Sequence, residues 1–198
     1  MIVPYSGNIN TMNDTALIEH TVTTELVFDG ALLKLSRDRV QLADGTESVR
    51  EWIAHPGAVV VIALLDNGKL IFERQFRYPL HQIFIELPAG KIEIDEHPLD
   101  TARRELREET GYIAKSWRQL ATMYPCIGYS NEKIEIFWAQ NLSYVGHQHD
   151  EGEQLEILEM SIADALLAVR DAEITDAKTI TALLWADKIL TGAWVLPE

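Results

Sequence analysis

The pattern of apolar and polar positions divides the chain into three parts. Residues 1–20 are polar and poorly patterned, which predicts a flexible N-terminal tail. Residues 21–55 contain alternating or continuous apolar runs separated by the hairpin signals Asp29-Gly30 and Asp44-Gly45. This part is predicted to form a small N-terminal antiparallel β-sheet with strands at Thr21–Phe28, Ala31–Leu42 and Glu47–Ile53. A sheet of about 35 residues is marginal alone, so we expect it to pack on the rest of the chain or on a second subunit.

The third part, residues 56–198, begins after His55-Pro56-Gly57, which interrupts the strand pattern and predicts a domain boundary. Strands here alternate with segments of helical periodicity, which predicts an α/β (α+β) sandwich around a mixed sheet. The strands are predicted at Ala58–Leu65, Lys69–Arg74, Ile83–Leu87, Ala121–Tyr124, Lys133–Gln140 and Leu155–Met160. The helices are predicted at Leu99–Glu109, Ile162–Arg170 and Asp176–Leu190.

Composition and charge narrow the class of protein. The chain has 17 Lys and Arg against 31 Asp and Glu, a net charge of −14. This balance argues against binding to nucleic acid or to an anionic membrane surface, because both need a basic surface. Cys126 is the single cysteine, and the N-terminus lacks the pattern of a secretory signal. We therefore expect a cytoplasmic protein without an intrachain disulfide.

The helix predicted at Leu99–Glu109 concentrates carboxylates beside an apolar face. Glu105, Glu108 and Glu109 lie three or four residues apart, so their like charges repel on one side of the helix. A hard divalent cation such as Mg²⁺ or Mn²⁺ would offset that repulsion. The alternative is a solvated acidic helix neutralised in part by its arginines. The apolar face consists of Leu99, Ala102 and Leu106.

The segment from Gly90 to Tyr112 resembles the Nudix box, in which a glycine, a glutamate, an Arg-Glu pair, a Glu-Glu pair and a final glycine stand at fixed spacing. The match is free of gaps, and Tyr112 departs from it only in being aromatic where an aliphatic residue is commoner. A chance match in this chain is on the order of one in ten million. The matching residues are Gly90, Glu96, Arg104, Glu105, Leu106, Glu108, Glu109 and Gly111.

The resemblance implies a Nudix α/β/α sandwich and hydrolysis of a nucleoside diphosphate linked to another group. It implies Glu105 and Glu109 as the principal ligands of Mg²⁺, or of Mn²⁺ as a substitute, with Glu108 close by as a further metal or catalytic residue. The Ala89 carbonyl is implied as another ligand. The remaining implied roles are structural: a salt bridge between Arg104 and Glu96, and tight turns at Gly90 and Gly111.

Segments outside the box resemble the ADP-ribose pyrophosphatase-like branch of this family. They are His55–Val59, Arg74–Pro79, Glu86–Gly90, Asp176–Thr179 and Val49–Glu51. GDP-mannose hydrolases and other nucleotide-sugar hydrolases share much of this layout. In the ADP-ribose branch the N-terminal sheet commonly exchanges across a homodimer, so the resemblance implies a homodimer of this kind. It also implies that the small molecule bound is a nucleoside diphosphate sugar.

The same resemblance implies substrate contacts for four residues. Arg50 and Arg77 carry guanidinium groups that suit phosphate and ribose oxygens, with a surface ion pair as the alternative for each. Phe28 is a candidate for adenine stacking, with packing in a core as the alternative. Gly128 lies in a segment that contacts the substrate in related enzymes.

A second acidic segment, residues 149–154, contains Glu151 and Glu153. Related pyrophosphatases place a catalytic or metal-binding glutamate in this loop, and the sequence does not distinguish between the two; a solvated loop is the alternative. The expected function is Mg²⁺-dependent hydrolysis of ADP-ribose to AMP and ribose 5-phosphate. Hydrolysis of another nucleotide sugar, such as GDP-mannose or ADP-glucose, is the alternative, followed by a non-catalytic ADP-ribose sensor.

Overall fold

The computed structural model describes residues 14–146 and 154–197. Within that part, the chain divides into two compact units. The first contains the residues up to His55 together with Gly128–Asn131, and the second contains Pro56–Ile127 and the residues from Glu132 onward.

The first unit is a three-stranded antiparallel sheet in the order β1-β2-β3, as the two hairpin signals predict. Its strands are β1 (His20–Asp29), β2 (Lys34–Gln41) and β3 (Glu47–Ala54). The Asp44 carboxylate accepts a hydrogen bond from the Thr46 N–H at 2.9 Å and fixes the second hairpin. Every residue of β1 is exposed, including the large apolar side chains Val22, Leu26 and Phe28. The sheet therefore presents an uncovered apolar strand within the described chain.

The described residues of the second unit form seven strands in two sheets. A mixed sheet has the order β7-β4-β9-β8, with β4 and β9 parallel, and an antiparallel sheet has the order β10-β5-β6. The strands are β4 (Ala58–Ala63), β5 (Lys69–Arg77), β6 (Gln82–Glu86), β7 (Ala89–Lys91), β8 (Tyr112–Met123), β9 (Ile134–Tyr144) and β10 (Leu155–Ser161).

Strand β4 explains why helices lie on both faces of the mixed sheet. All six of its residues are buried, as its continuous apolar sequence predicts. Val60 and Ile62 join the apolar cluster that includes α2 and α3, whereas Val59 and Val61 join the cluster that includes α1. The predicted α/β/α sandwich with a mixed sheet is confirmed. The helices are α1 (Pro98–Thr110), α2 (Ile162–Arg170) and α3 (Ala177–Leu190).

Strands β8 and β7 show the largest differences from the sequence-based prediction. Strand β8 begins at Tyr112, nine residues before the predicted start at Ala121. It lies at the edge of its sheet and buries little, so its sequence lacks a clear apolar alternation. Strand β7 was not predicted, because its three residues form a strand only through pairing with β4.

The C-terminal part of the second unit packs an aromatic pair. The rings of Trp185 on α3 and Trp194 lie 4.7 Å apart between centroids in an edge-to-face arrangement. The backbone N–H of Trp194 donates to the Lys188 carbonyl at 2.9 Å, which turns the chain back toward α3. Over the described residues, none of the helices combines the length and the apolar character needed to cross a membrane.

Candidate active site

Helix α1 carries the acidic motif, and local sequence signals set both of its ends. Pro98 occupies the first turn, and the His97 ring nitrogen accepts a hydrogen bond from the Leu99 N–H at 3.3 Å. At the other end Gly111 adopts a left-handed conformation with φ of 76° and donates its N–H to the Arg107 carbonyl at 2.9 Å. Gly111 is therefore the turn residue that the resemblance implies.

The helix is oriented by its apolar face. Ala102 and Leu106 are completely buried against β4, and Leu99 is partly buried in the same cluster. This packing fixes the direction of the three glutamates. Glu109 is buried with 3% of its surface exposed, whereas Glu105 and Glu108 keep part of their side chains accessible.

Arg104 joins three carboxylates into what we call the Arg104 cluster, formed by Arg104, Glu96, Glu105 and Glu108. Its guanidinium donates to both oxygens of Glu96 at 3.0 Å, to Glu105 at 2.8 Å and to Glu108 at 3.0 Å. The implied salt bridge between Arg104 and Glu96 is therefore present. The hydrogen bonds from Arg104 lower the pKa of Glu96 to about 2, and those with Glu96 raise the pKa of Arg104.

Gly90 has a different role from the one implied. It lies in strand β7 and lacks the positive φ of a left-handed turn, so the expectation of a tight turn there is wrong. A Cβ atom at this position would lie 1.8 Å from the Glu105 carboxylate oxygen. The absence of a side chain at Gly90 thus lets Glu105 approach the backbone of β7.

The neighbouring residue Ala89 contacts Glu109, the buried glutamate of the motif. Its N–H donates to the Glu109 carboxylate at 3.0 Å. Ala89 is held in place by pairing of β7 with β4, where it lies opposite Val60. The structure therefore brings Ala89, Gly90, Glu105 and Glu109 together.

Three charged residues near the motif, Glu73, Glu86 and Lys178, were given no role in the sequence analysis. Glu86 on β6 accepts two hydrogen bonds from Arg77, at 2.7 and 2.8 Å, and forms an ion pair with Lys178 of α3. Desolvation raises the pKa of Glu86, but the bonds from Arg77 and the charge of Lys178 outweigh it and hold this pKa below its usual value.

Glu73 on β5 lies opposite Glu86 and is completely buried. Neither of its carboxylate oxygens has a hydrogen-bond partner among the described residues. Burial raises the pKa of Glu73 well above its usual range, and the charge of Glu86 raises it further. The available signal was the preceding run Leu70-Ile71-Phe72, which indicates a strand buried on both faces and makes a following glutamate unusual.

The Mg²⁺ that the resemblance implies fits the donor chemistry of this region. Its candidate ligands are all oxygens, which hard divalent cations prefer, and the buried Glu73 oxygens lack a partner beside them. As they stand in residues 14–146 and 154–197, no three acidic, histidine or cysteine side chains converge closely enough to hold an ion. One oxygen of Glu105 and one of Glu108 accept hydrogen bonds from Arg104 instead.

The implied substrate residues are distributed over both units. Arg77 belongs to the second unit and is bonded to Glu86, while Arg50 of the first unit is bonded to Glu19 at 2.9 Å. Arg50 thus makes the surface ion pair that was its alternative, whereas Arg77 pairs with a buried glutamate. Phe28 of the first unit is 55% exposed, so it is not a core residue within the described chain. Gly128 also belongs to the first unit, and Glu151 and Glu153 lie outside the described residues.

Clefts in the second unit border both groups of charges. One cleft of about 390 Å³ is lined by arginines of α1, including Arg104, together with Glu108 and Trp117. Another of about 300 Å³ is lined by Arg77, Glu86 and Lys178. Both have charged walls, as a binding site for a phosphate-bearing molecule requires.

Comparison with known proteins gives consistent results. A family model described as the NUDIX domain matches residues 54–183. The ADP-ribose pyrophosphatase of Bacillus subtilis (strain 168) is 42% identical over 170 residues, covering 85% of this chain and 92% of the relative. The ADP-ribose pyrophosphatase of Mycobacterium tuberculosis is 34% identical over 175 residues, covering 87% and 84%. A crystal structure of an ADP compounds hydrolase has the same fold, with a TM-score of 0.80, 23% identity, and coverage of 88% of this chain and 95% of that one.

Proposed function

Because this chain belongs to the Nudix family, we propose that it hydrolyses the pyrophosphate bond of ADP-ribose, giving AMP and ribose 5-phosphate, with Mg²⁺ as cofactor. The family model covers the segment Gly90–Tyr112, so the resemblance of this segment to the Nudix box is confirmed. Two relatives that match over most of their length are named ADP-ribose pyrophosphatases, which supports this substrate over other nucleotide sugars.

The observation that carries the proposal is the arrangement of the complete box in the second unit. Glu105 packs against the backbone at Gly90, and Glu109 accepts the Ala89 N–H. Glu105, Glu108, Glu109 and the Ala89 carbonyl would hold Mg²⁺. When bound, the cation would screen the phosphate charge and stabilise the negative charge on the leaving phosphate.

The remaining steps are assigned to side chains of the chain itself. Arg77 and Arg50 would exchange their ion pairs for phosphate or ribose oxygens of the substrate. Glu151 or Glu153 would accept a proton from the attacking water. The water oxygen then bonds to one phosphorus, the bridging P–O bond breaks, and one phosphate group remains on each product.

We further propose that the protein acts in the cytoplasm as a homodimer with exchanged N-terminal sheets. The exposed apolar side chains of β1 support this assembly, because an uncovered strand of this kind favours pairing with another chain. Light scattering coupled to gel filtration should give a mass twice the chain mass of 22.4 kDa. Elution as a monomer at micromolar concentration would contradict the homodimer and leave the proposed reaction untouched.

Incubation with ADP-ribose and Mg²⁺, followed by product identification, tests the reaction. Glu109→Gln should remove most of the AMP release while circular dichroism shows an unchanged fold. Glu93→Gln is the matched control, since Glu93 lies in the same segment but is exposed and outside the motif. A fully active Glu109→Gln variant would overturn the assignment of Glu109 as a metal ligand.

A substrate panel with GDP-mannose and ADP-glucose separates the alternatives. The proposal expects ADP-ribose to have the highest kcat/KM of the three. Faster turnover of another nucleotide sugar would replace the substrate while keeping the reaction. Binding of ADP-ribose without AMP release, in Mg²⁺ and in Mn²⁺, would instead indicate the non-catalytic sensor.

A further inference from the structure

Glu73 is a completely buried glutamate on strand β5, and a buried carboxylate requires a compensating contact. It follows Ile71 at a spacing of two on β5, so both side chains point to the same face of the strand. Ile71 packs in the cluster formed with Ala102 and Leu106 of α1. Glu73 therefore faces α1, and it is completely buried there.

The charges around Glu73 compensate it only in part within the described chain. Glu86 lies opposite it, and the Glu109 carboxyl lies beside it. The nearby cations, Arg77 and Lys178, both form their ion pairs with Glu86. Glu73 thus adds an acidic group to a buried site whose positive charges are already paired with another carboxylate.

An isolated buried carboxylate is costly unless a hydrogen bond or a cation compensates it. A divalent cation suits this position, because it prefers carboxylate oxygens and can be shared between two of them. We propose that Glu73 is an additional ligand for a divalent cation, which it binds together with Glu109. This inference rests on the proposed metal-dependent function and extends its ligand set from α1 to strand β5.

Titration with Mn²⁺ alone tests the assignment without substrate. Electron paramagnetic resonance of free Mn²⁺ gives the affinity and the number of bound ions for the chelator-treated full chain. Glu73→Gln should weaken Mn²⁺ binding at least about tenfold, or remove one bound ion, because a charged ligand becomes a neutral amide. Unchanged affinity and stoichiometry would overturn the proposal.

Glu135 offers a matched control on the neighbouring sheet. It is also a buried strand glutamate, but its carboxylate accepts hydrogen bonds from Gln119, at 2.7 Å, and from Thr122, and it pairs with Lys133. Glu135→Gln should leave Mn²⁺ binding unchanged. An equal loss of Mn²⁺ binding in both variants would show a general effect of buried charge and would overturn the specific role of Glu73.

Glu73→Leu provides a second variant that removes both the charge and the amide. In chelator its Tm should rise above that of the wild type, since an uncompensated buried carboxylate is removed. Its Tm should gain less from added Mn²⁺ than the wild-type Tm. A lower Tm in chelator together with a full Mn²⁺ response would show a purely structural role and contradict the proposal.

AMP release by the wild type separates this inference from the proposed function. Wild-type hydrolysis of ADP-ribose together with unchanged Mn²⁺ binding in Glu73→Gln would refute only the inference. Weakened Mn²⁺ binding in that variant, with a wild type that releases no AMP, would refute only the reaction.

Discussion

Two groups of carboxylates meet at helix α1, and the chain compensates them differently. In the Arg104 cluster one guanidinium donates hydrogen bonds to Glu96, Glu105 and Glu108. Among the inner glutamates, by which we mean Glu73, Glu86 and Glu109, Arg77 and Lys178 both bond to Glu86. The first group contains its own counter-ion, whereas neither carboxylate oxygen of Glu73 in the second has a hydrogen-bond partner among the described residues.

The difference separates carboxylates that stabilise the fold from a buried carboxyl group that we propose to bind a cation. A carboxylate with a hydrogen-bonded guanidinium adds to stability, whereas a buried carboxylate without a partner reduces it. The Arg104 cluster therefore fixes the loop before α1 in the absence of any ligand. Among the inner glutamates, Glu73 is the buried carboxyl group that a bound cation would compensate.

The largest effect is expected from adding a methyl group to the backbone at Gly90. Gly90→Ala places a Cβ 1.8 Å from the Glu105 carboxylate oxygen, so Glu105 must leave its position. Such overpacking costs about 3 kcal/mol of unfolding free energy. Displacement of a proposed metal ligand should also lower kcat/KM about 100-fold. Urea denaturation and AMP release measure the two losses.

A double-mutant cycle provides the control for Gly90→Ala. In a Glu105→Ala background the added methyl group no longer meets a carboxylate, so the stability loss from Gly90→Ala should largely disappear. An equal loss in both backgrounds would show that the methyl group disturbs β7 itself and not Glu105.

The next effect is expected from removing the counter-ion of the Arg104 cluster. Arg104→Met leaves three partly buried carboxylates without their shared cation, and we expect a loss of about 2 kcal/mol, below the value for a fully buried pair. Millimolar Mg²⁺ should restore part of that loss in urea denaturation. Arg103→Met is the control, because Arg103 is exposed and pairs with the exposed Asp100, and the stability of this variant should stay near that of the wild type.

Acid should weaken the Arg104 cluster through Glu96. Because the hydrogen bonds from Arg104 lower the pKa of Glu96 to about 2, its contribution is present above the unfolded-state pKa and is lost as the pH falls through about 2. Glu96→Gln should therefore be less stable than the wild type at pH 7 by about 1 kcal/mol, a value reduced for solvent screening. The difference should shrink toward zero near pH 2; a constant difference would exclude this linkage.

The smallest change in stability is expected at the exposed ion pair of the first unit. Arg50→Ala breaks the contact with Glu19 and should leave Tm within experimental error, since exposed pairs contribute little. If Arg50 binds substrate as proposed, KM for ADP-ribose should rise about tenfold at similar kcat. Arg39→Ala removes another exposed arginine of the same sheet, paired with Glu47, and should leave KM unchanged.

Local signals in the sequence were sufficient for the elements that bury a continuous apolar pattern. The ends of α1 follow from Pro98 and Gly111, and the burial of β4 on both faces follows from its apolar run. The start of β8 was missed because an edge strand with mostly exposed side chains carries no such pattern. The role of Gly90 could not be predicted from local sequence either, since its contact with Glu105 joins residues 15 positions apart.

The candidate site was predictable only where spacing along one helix determines which residues meet. Glu105, Glu108 and Glu109 share α1, so their proximity follows from helical geometry. Glu73 reaches the same region from a strand, through strand pairing and packing that the sequence does not encode locally. The preceding apolar run indicates a buried strand, but the lack of a hydrogen-bond partner for Glu73 among the described residues was visible only in the folded chain.

The edge-to-face pair of Trp185 and Trp194 has a spectroscopic consequence. Two indoles with centroids 4.7 Å apart should couple their excited states and produce a paired positive and negative band in the circular dichroism spectrum. Both indoles belong to the second unit, whereas the Trp52 indole of the first unit hydrogen-bonds to Asp38 at 3.0 Å. The coupled band therefore reports the unfolding of the second unit alone, and a thermal scan that follows it beside the amide signal can resolve whether the two units melt together.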